Sequence, residues 1–172
     1  MGREPEADMS VVTALVRAAF LVDATYEQSA RGHQLTSQQG QLLCILMGKP
    51  EEGFGMGELV RILGLAKSSL TGLVDRSLRR GLVRRESDTA DGRAVRVFLT
   101  EEGEKLAEEF YNETVARVAE LPAMLTEPER EQLAELLGRL VLGNQVPVVF
   151  GDDNPCLKDG GECVEDEGRS VR

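Results

Sequence analysis

The stretch LAKSSLTGLVDRSLRRGLVRRESDTADGRAVRVFLT, residues 65–100, decides the fold predicted for this chain. At about 100° per residue, the first half of the stretch has an apolar side and a polar side. The apolar side consists of Leu70, Leu73, Val74 and Leu78, and the polar side of Ser68, Gly72, Asp75, Arg76 and Arg79. An amphipathic helix is therefore predicted. Its arginine-bearing face has a small residue at the centre and can approach a partner closely.

A β-hairpin is predicted directly after this helix. Gly81 ends the helix, as a glycine past the last turn commonly does. Two β-prone runs follow, Leu82–Ser87 and Ala94–Thr100, and in the second run the alternation is that of a half-buried strand. Between them, residues 91–93 read DGR, a turn signal with an arginine at its tip. A helix followed by such a hairpin is typical of a helix-turn-helix with a wing. The helix suits the DNA major groove, and Arg93 suits the narrower minor groove.

The charge of this region supports a DNA contact. Between Arg61 and Val97 there are nine basic and four acidic residues, a net charge of +5 in a chain of net charge −10. The pI near 4.7 is wrong for a protein that coats nucleic acid indiscriminately. It fits a protein that binds through a small basic patch and is repelled elsewhere.

Length and composition limit the remaining possibilities. The 172 residues fit one domain, with a core of leucine, valine and alanine because aromatic residues make up only 4% of the chain. There is no apolar run of about 18 residues, so no membrane span is predicted. The first ten residues lack a signal-peptide pattern. Three cysteines argue against a disulfide scaffold and indicate a cytoplasmic protein.

Helices are predicted to precede the central stretch. The first covers residues 9 to about 30, with a heptad-like stripe at Val12, Leu15, Ala19, Val22 and Tyr26. A second begins at the capping-box pair Thr36 and Gln39, and residues 48–55 are predicted to form a loop. A third, MGELVRILGL, has its inward side at Leu59, Ile62 and Leu63. Gly64 then makes the tight turn into the central stretch.

Two long helices are predicted after the hairpin. Thr100 begins the first, whose stripe is Leu106, Phe110, Thr114, Val118 and Leu121. Pro122 interrupts it. A second capping box, Thr126 and Glu129, begins the last helix, whose broad stripe is Leu133, Leu136, Leu137, Leu140 and Val141. From residue 144 the glycine- and acid-rich composition predicts a flexible tail, and residues 1–8 are expected to form a loose arm.

With this order of elements, the chain resembles the MarR family of bacterial transcription regulators. The resemblance covers residues 11–142, and its segments are LTSQQGQLL, LAKSSLTGLVDRSLRRGLVRRESDTADGRAVRVFLTEEG and LTEPEREQLAELLGRL. The most specific parts are Asp91-Gly92-Arg93 and the run from Leu99 to Gly103.

The resemblance implies a mainly α-helical fold with a small β-wing, a winged helix-turn-helix. It implies a homodimer that binds a pseudo-palindromic site in double-stranded DNA. Residues 35–100 would then bind DNA, and residues 9–34 and 101–143 would form the dimer. Members of the family usually repress, and a small anionic ligand, a metal or an oxidant releases them. No cofactor is expected, and the effector-binding residues are unknown.

Individual roles follow from side-chain chemistry. Base-edge contacts are predicted for Ser68, Thr71 and Arg76, and phosphate contacts for Lys67, Ser69 and Arg79. Ala66 is a poor N-cap, so the N–H groups after it are free for a phosphate. Thr36 and Ser37, at a helix start, either bind a phosphate or only cap the helix. Arg84 and Arg85 flank the wing, and one of them is expected to be merely solvated. Asp75 and Asp91 are expected to orient arginines, Asp91 holding Arg93.

The other chemistry-bearing residues give weaker signals. His33 is the only histidine and is predicted to be structural, and Cys44 to be a small core residue. Zinc-sensing members of the family carry two histidines after the wing; this chain has glutamates there, so no metal site is predicted. Cys156 and Cys163 could form a disulfide, join a metal site or be inert. No catalytic set or nucleotide-binding loop is present. The alternatives to a DNA-binding regulator are a winged-helix protein-interaction module and a redox- or metal-responsive regulator that uses the tail cysteines.

Overall fold

The computed structural model describes residues 9–87 and 94–144. These residues form six helices and three short strands. In chain order they are α1 (Val11–Gly32), α2 (Ser37–Met47), β1 (Phe54–Gly55), α3 (Met56–Leu63), α4 (Lys67–Arg79), β2 (Val83–Ser87), β3 (Val95–Leu99), α5 (Glu101–Glu120) and α6 (Glu127–Gly143). The arm at residues 1–8 and the tail from residue 145 lie outside the described residues.

The helix ends follow the predicted local chemistry. Both capping boxes are present, at Thr36 with Gln39 and at Thr126 with Glu129. Gly64 and Gly81 have positive φ angles of 63° and 72°, which glycine adopts without the steric cost of a Cβ atom. These two residues therefore end α3 and α4 and set the directions in which the chain leaves them.

The sheet has a strand that the sequence analysis missed. Its order is β1-β3-β2, all antiparallel, with Phe54 opposite Val97 and Gly55 opposite Arg96. The predicted hairpin is confirmed as β2 and β3, but the predicted loop over residues 48–55 was wrong at Phe54–Gly55, which add a third strand to the sheet. Strand β1 has only two residues, which is too few for the alternation of a strand to be visible in the sequence. A tertiary interaction holds β1 in place. The Arg96 side chain donates hydrogen bonds to the carbonyls of Glu52 and Gly53.

The predicted alternation along β3 was also wrong in part. Val97, Phe98 and Leu99 are all buried, whereas Val95 is 39% exposed. Helices α2, α3 and α5 pack near β3, and side chains on both faces of the strand are therefore buried near its C-terminal end. Phe98 in particular lies beneath Arg84, whose guanidinium carbon is 4.6 Å from the ring centroid.

The start of α5 is packed tightly against the start of the wing. Thr100 accepts a hydrogen bond from the Gly103 N–H at 3.0 Å and donates one to the Gly81 carbonyl at 2.6 Å. Its own N–H donates to the Leu82 carbonyl. A Cβ atom on Gly103 would overlap that same carbonyl. Only glycine fits at this position. The close packing of α5 against the wing therefore explains why the run from Leu99 to Gly103 ends in a glycine.

The core surrounds α2 and continues beneath α4 and α5. Its fully buried side chains include Leu42, Leu43, Leu46, Leu59, Leu70, Leu73, Val74, Val97 and Phe110. Phe110 of α5 occupies the space beside Gly40 of α2, where a Cβ atom would overlap its ring. The helix-turn-helix and the wing are therefore supported from behind by α5.

The two ends of the described chain are not part of this core. No residue of α6 is buried. The apolar stripe of α6 is exposed, as are Val11, Val12, Leu15, Val16, Phe20, Leu21 and Val22 of α1. Exposed apolar side chains are thus concentrated on these two helices, whereas chance exposure would leave them scattered singly. In residues 9–87 and 94–144, no helix is both long and apolar enough to cross a membrane.

Candidate nucleic-acid interface

Helix α4 presents its polar face to solvent, as predicted. Leu70, Leu73, Val74 and Ser77 are buried on the inner side, and Leu78 is partly buried. The predicted DNA contacts on this helix are all exposed: Lys67, Ser68, Ser69, Thr71, Arg76 and Arg79. The buried stripe therefore fixes which side chains face outward.

The N-terminus of α4 has no side-chain cap. Ala66 is the N-cap and its side chain makes no capping hydrogen bond, and the first intrahelical bond runs from the Leu70 N–H to the Ala66 carbonyl. The preceding N–H groups are left beside the positive end of the helix dipole, an arrangement that favours an anion. Helix α2 differs, because the Thr36 hydroxyl accepts from the Gln39 N–H at 3.2 Å. Capping by Thr36 is thus present, and phosphate binding by Thr36 and Ser37 stays a prediction.

Two further details concern the face of α4. The Thr71 hydroxyl donates to the Lys67 carbonyl at 2.9 Å, so its oxygen is left to act as an acceptor. The Arg76 guanidinium lies along the helix, with Nη1 3.4 Å from the point where a Cβ atom on Gly72 would be. The base contact predicted for Arg76 stays a prediction.

The arginines at the base of the wing are both engaged. Arg85 lies 2.8 Å from Asp75 of α4, so an acidic residue of the DNA-facing helix contacts an arginine, as expected. Arg84 pairs with Glu86 and covers Phe98. Successive residues of a strand face opposite sides, which separates the two arginines. The expectation that one of them is merely solvated does not match these contacts.

The tip of the wing lies outside the described residues. Arg93, the strongest single candidate for a DNA contact, and Asp91 both fall in the undescribed segment 88–93. The minor-groove role of Arg93 and the orienting role of Asp91 therefore stay predictions.

A basic groove adjoins the exposed face of α4. It has a volume of about 420 Å³ and is lined by Gln34, Gln39, Arg76, Arg79 and Arg80. Arg80 donates to the Gln34 carbonyl at 2.8 Å. Arg80 and the two glutamines were not predicted site residues. The sequence did hint at Arg80, because it directly follows Arg79, one turn after Arg76. Nothing in the sequence indicated the left-handed backbone of Gln34, whose φ is 56°.

The lone histidine and the described cysteine have structural roles. His33 Nε2 lies 2.8 Å from Glu113, which also accepts from Arg117 at 2.8 Å. Burial raises the Glu113 pKa, but these two hydrogen bonds outweigh it, and the pKa is lower than usual. Burial raises the pKa of the Cys44 thiol to about 12, which makes it unreactive. No group of three or more His, Cys, Asp or Glu suited to a metal occurs in the described residues. Cys156 and Cys163 lie outside them.

The fold and this exposed basic face define a winged helix-turn-helix DNA-binding protein. A model of the MarR family matches residues 33–94. The chain is 31% identical over 128 residues to the HTH-type transcriptional repressor NicR of Pseudomonas putida, an alignment that covers 74% of this chain and 70% of NicR. It is 29% identical over 146 residues to the homoprotocatechuate degradative operon repressor of Escherichia coli, covering 84% and 97%.

A solved structure extends the likeness to three dimensions. BpsR of Bordetella bronchiseptica is 25% identical, and its TM-score is 0.64 over 81% of this chain and 97% of BpsR. That structure concerns the regulation of BpsR DNA binding by 6-hydroxynicotinic acid. The chain described here belongs to the MarR family of transcription regulators, and the resemblance drawn from its sequence is confirmed.

Proposed function

We propose that this regulator is a homodimeric repressor that binds a pseudo-palindromic operator by placing one α4 in each of two major grooves. The observation that carries this proposal is the exposed face of α4. Among the described residues, Lys67, Arg76 and Arg79 have no carboxylate partner within ion-pair distance, although the chain as a whole is strongly acidic. Cations left unpaired on one face favour a polyanion as partner.

Dimerisation is supported by the apolar surfaces of α1 and α6. A single copy leaves Phe20 70% exposed and Leu142 81% exposed, and the α6 stripe contributes nothing to the core of its own chain. A second copy would remove these side chains from water, and two symmetric reader helices would then meet half-sites about one helical turn apart.

The proposed effector is an aromatic carboxylic acid. The names of two similar proteins point to this class, homoprotocatechuate for the E. coli repressor and 6-hydroxynicotinic acid for BpsR. The proposed location is the junction of α1, α2 and α5, where a bound ligand would alter the spacing of the reader helices. Ser29 of α1 and Thr114 of α5 have buried hydroxyls without a hydrogen-bond partner among the described residues. Such groups invite a water or a polar ligand.

The test begins with selection of bound duplexes from a random pool, followed by affinity measurements over a salt series. A palindromic consensus bound by a dimer, with a steep salt dependence, supports the proposal. Absence of any preferred duplex would favour the protein-interaction alternative. Aromatic acids are then screened for loss of operator binding, with benzyl alcohol as the uncharged control. Release only by oxidants or metals would instead favour the tail cysteines.

The proposal also covers catalytic activity and cellular location. The family and the similar proteins are regulators, and we propose no catalytic activity for the chain. We also propose a cytoplasmic location, since an operator on the bacterial chromosome must be reached there.

A further inference from the structure

The groove between the start of α2 and the end of α4 has a lining of one charge sign. Three of its five lining residues are arginines, and the other two are Gln34 and Gln39. Among the residues that the structure describes, no carboxylate lines it. Like charges held around one groove repel each other, and only an anion or water in the groove relieves that repulsion.

The arginines are available for such an anion. Arg76 and Arg79 have no ion-pair partner among the described residues, and Arg80 donates a hydrogen bond to the Gln34 carbonyl at 2.8 Å. That bond uses one of five guanidinium N–H groups and fixes the position of Arg80. The remaining N–H groups are free to donate to a ligand.

Gln39 adds an amide donor to the lining of the groove. Its side chain is 5% exposed, and its Oε1 accepts from the Thr36 N–H at 3.1 Å and from the Thr36 hydroxyl at 3.4 Å. The bond from the main chain settles which end of the amide faces Thr36. The Nε2 end, which lines the groove, has no acceptor among the described residues.

We infer that this groove binds a phosphate group through Arg79, Arg80 and Gln39, and that the phosphate is one of the DNA backbone beside the bases read by α4. The inference rests on the proposed function; it extends the phosphate contact predicted for Arg79 to Arg80 and Gln39 and places that contact in the groove. Planar guanidinium groups donate pairs of parallel hydrogen bonds to phosphate oxygens. A contact of this kind fixes the register of the protein on the duplex and carries no sequence information.

The DNA arm of the test uses Arg79→Gln, Arg80→Gln and the double variant in the full-length protein. Each single variant should lose at least fivefold in affinity, equally on operator and random duplexes. With one phosphate per subunit, the double variant should flatten the log–log salt slope by up to about two units. Its loss in log affinity should be smaller than the sum of the two single losses, because both arginines serve one phosphate. The control is Lys105→Gln, which removes one exposed charge of α5 and should leave the slope unchanged.

The free-ligand arm compares thermal unfolding in inorganic phosphate and in chloride at equal ionic strength. Phosphate should raise the Tm of the wild type and of Lys105→Gln but not that of the double variant. If phosphate raises the Tm in this way but the arginine variants bind DNA as the wild type does, the groove is a site for free phosphate and does not bind the DNA backbone. A loss confined to the operator would overturn the inference in favour of base reading. Wild-type behaviour of the double variant in both arms would overturn it completely, while operator binding sensitive to Arg76→Ala would leave the proposed function intact.

Discussion

The Arg85 guanidinium lies 2.8 Å from the Asp75 carboxylate, and this contact joins the base of the wing to the DNA-facing helix. Both side chains are partly exposed, at 33% and 42%, and exposed ion pairs contribute little to stability, on the order of 1 kcal/mol or less. We therefore expect the pair to matter mainly for the placement of the wing relative to α4, the two elements proposed to contact DNA.

A double-mutant cycle tests this role. Asp75→Asn should lower operator affinity several-fold although it removes a negative charge from the DNA side, because Arg85 is no longer held. The double variant with Arg85→Gln should bind no worse than Arg85→Gln alone, since Asp75 acts through the arginine. Fluorescence anisotropy measures both, with Asp23→Asn as a distant control. An increase in affinity for Asp75→Asn would show that its charge merely repels DNA.

Arg93→Ala is expected to weaken DNA binding without affecting the fold. If Arg93 enters a minor groove, two contacts vanish per dimer, and the log–log salt slope should flatten by up to about two units. Affinity at moderate salt should fall by about tenfold or more. Asp91→Ala should show a milder loss, and Arg76→Ala should relax the preference for particular bases. A folded Arg93→Ala dimer with an unchanged slope would assign the wing a purely structural role.

Gly103→Ala should destabilise the protein by about 1–3 kcal/mol, the usual cost of an overpacked site. The added Cβ atom would overlap the Leu82 carbonyl, which already accepts a hydrogen bond from Thr100 and cannot move freely. Gly57→Ala is the matched control, since nothing lies within 4 Å of its Cβ position, and it should be neutral or slightly stabilising. Urea denaturation measures both free energies of unfolding. Equal stability of the two variants would contradict the close packing of α5 on the wing.

Glu113 should make stability depend on acid pH. Its pKa is lowered because the hydrogen bonds from Arg117 and His33 outweigh the effect of burial. Because the pKa of Glu113 is lower in the folded state than in the unfolded state, Glu113 stabilises the fold at a pH above the ordinary glutamate pKa of about 4.3. This contribution is lost as the pH falls through the lower pKa of the folded state. The difference in unfolding free energy between wild type and Glu113→Gln should therefore shrink between pH 5 and pH 3. Glu108→Gln, at an exposed position of the same helix, is the control variant.

Leu137→Glu should convert the dimer to monomers. Leu137 is 41% exposed in the single chain, so the substitution removes nothing from the protomer core but places a charge in the proposed interface. Sedimentation velocity at micromolar concentration should show the change, with far-UV circular dichroism to confirm the fold. The control is Gln132→Glu, at a polar position of the same helix. A Leu137→Glu dimer as stable as the wild type would place the interface elsewhere.

Much of this fold follows from local sequence signals. The apolar stripe of α4 at Leu70, Leu73 and Val74, the glycines at the ends of α3 and α4, and the two capping boxes act within one or two helical turns. Periodicity and capping depend on neighbours in the chain, so the sequence predicts them directly. The winged helix-turn-helix and the outward face of α4 follow from the same signals.

Tertiary contacts decided the rest. The third strand exists because Phe54 pairs with Val97, 43 residues later in the chain, and two residues carry no periodic signal. The same long-range packing buries Phe98 as well as its neighbours Val97 and Leu99, against the predicted alternation. It selects Arg85 as the partner of Asp75, and it brings Gln34 and Gln39 beside Arg79 and Arg80. The sequence by itself determined the helices, their caps and the outward-facing arginines, because those depend on local spacing. Only the tertiary structure decided which arginines are paired and which converge on a groove, because charges interact across space between segments that no local pattern connects.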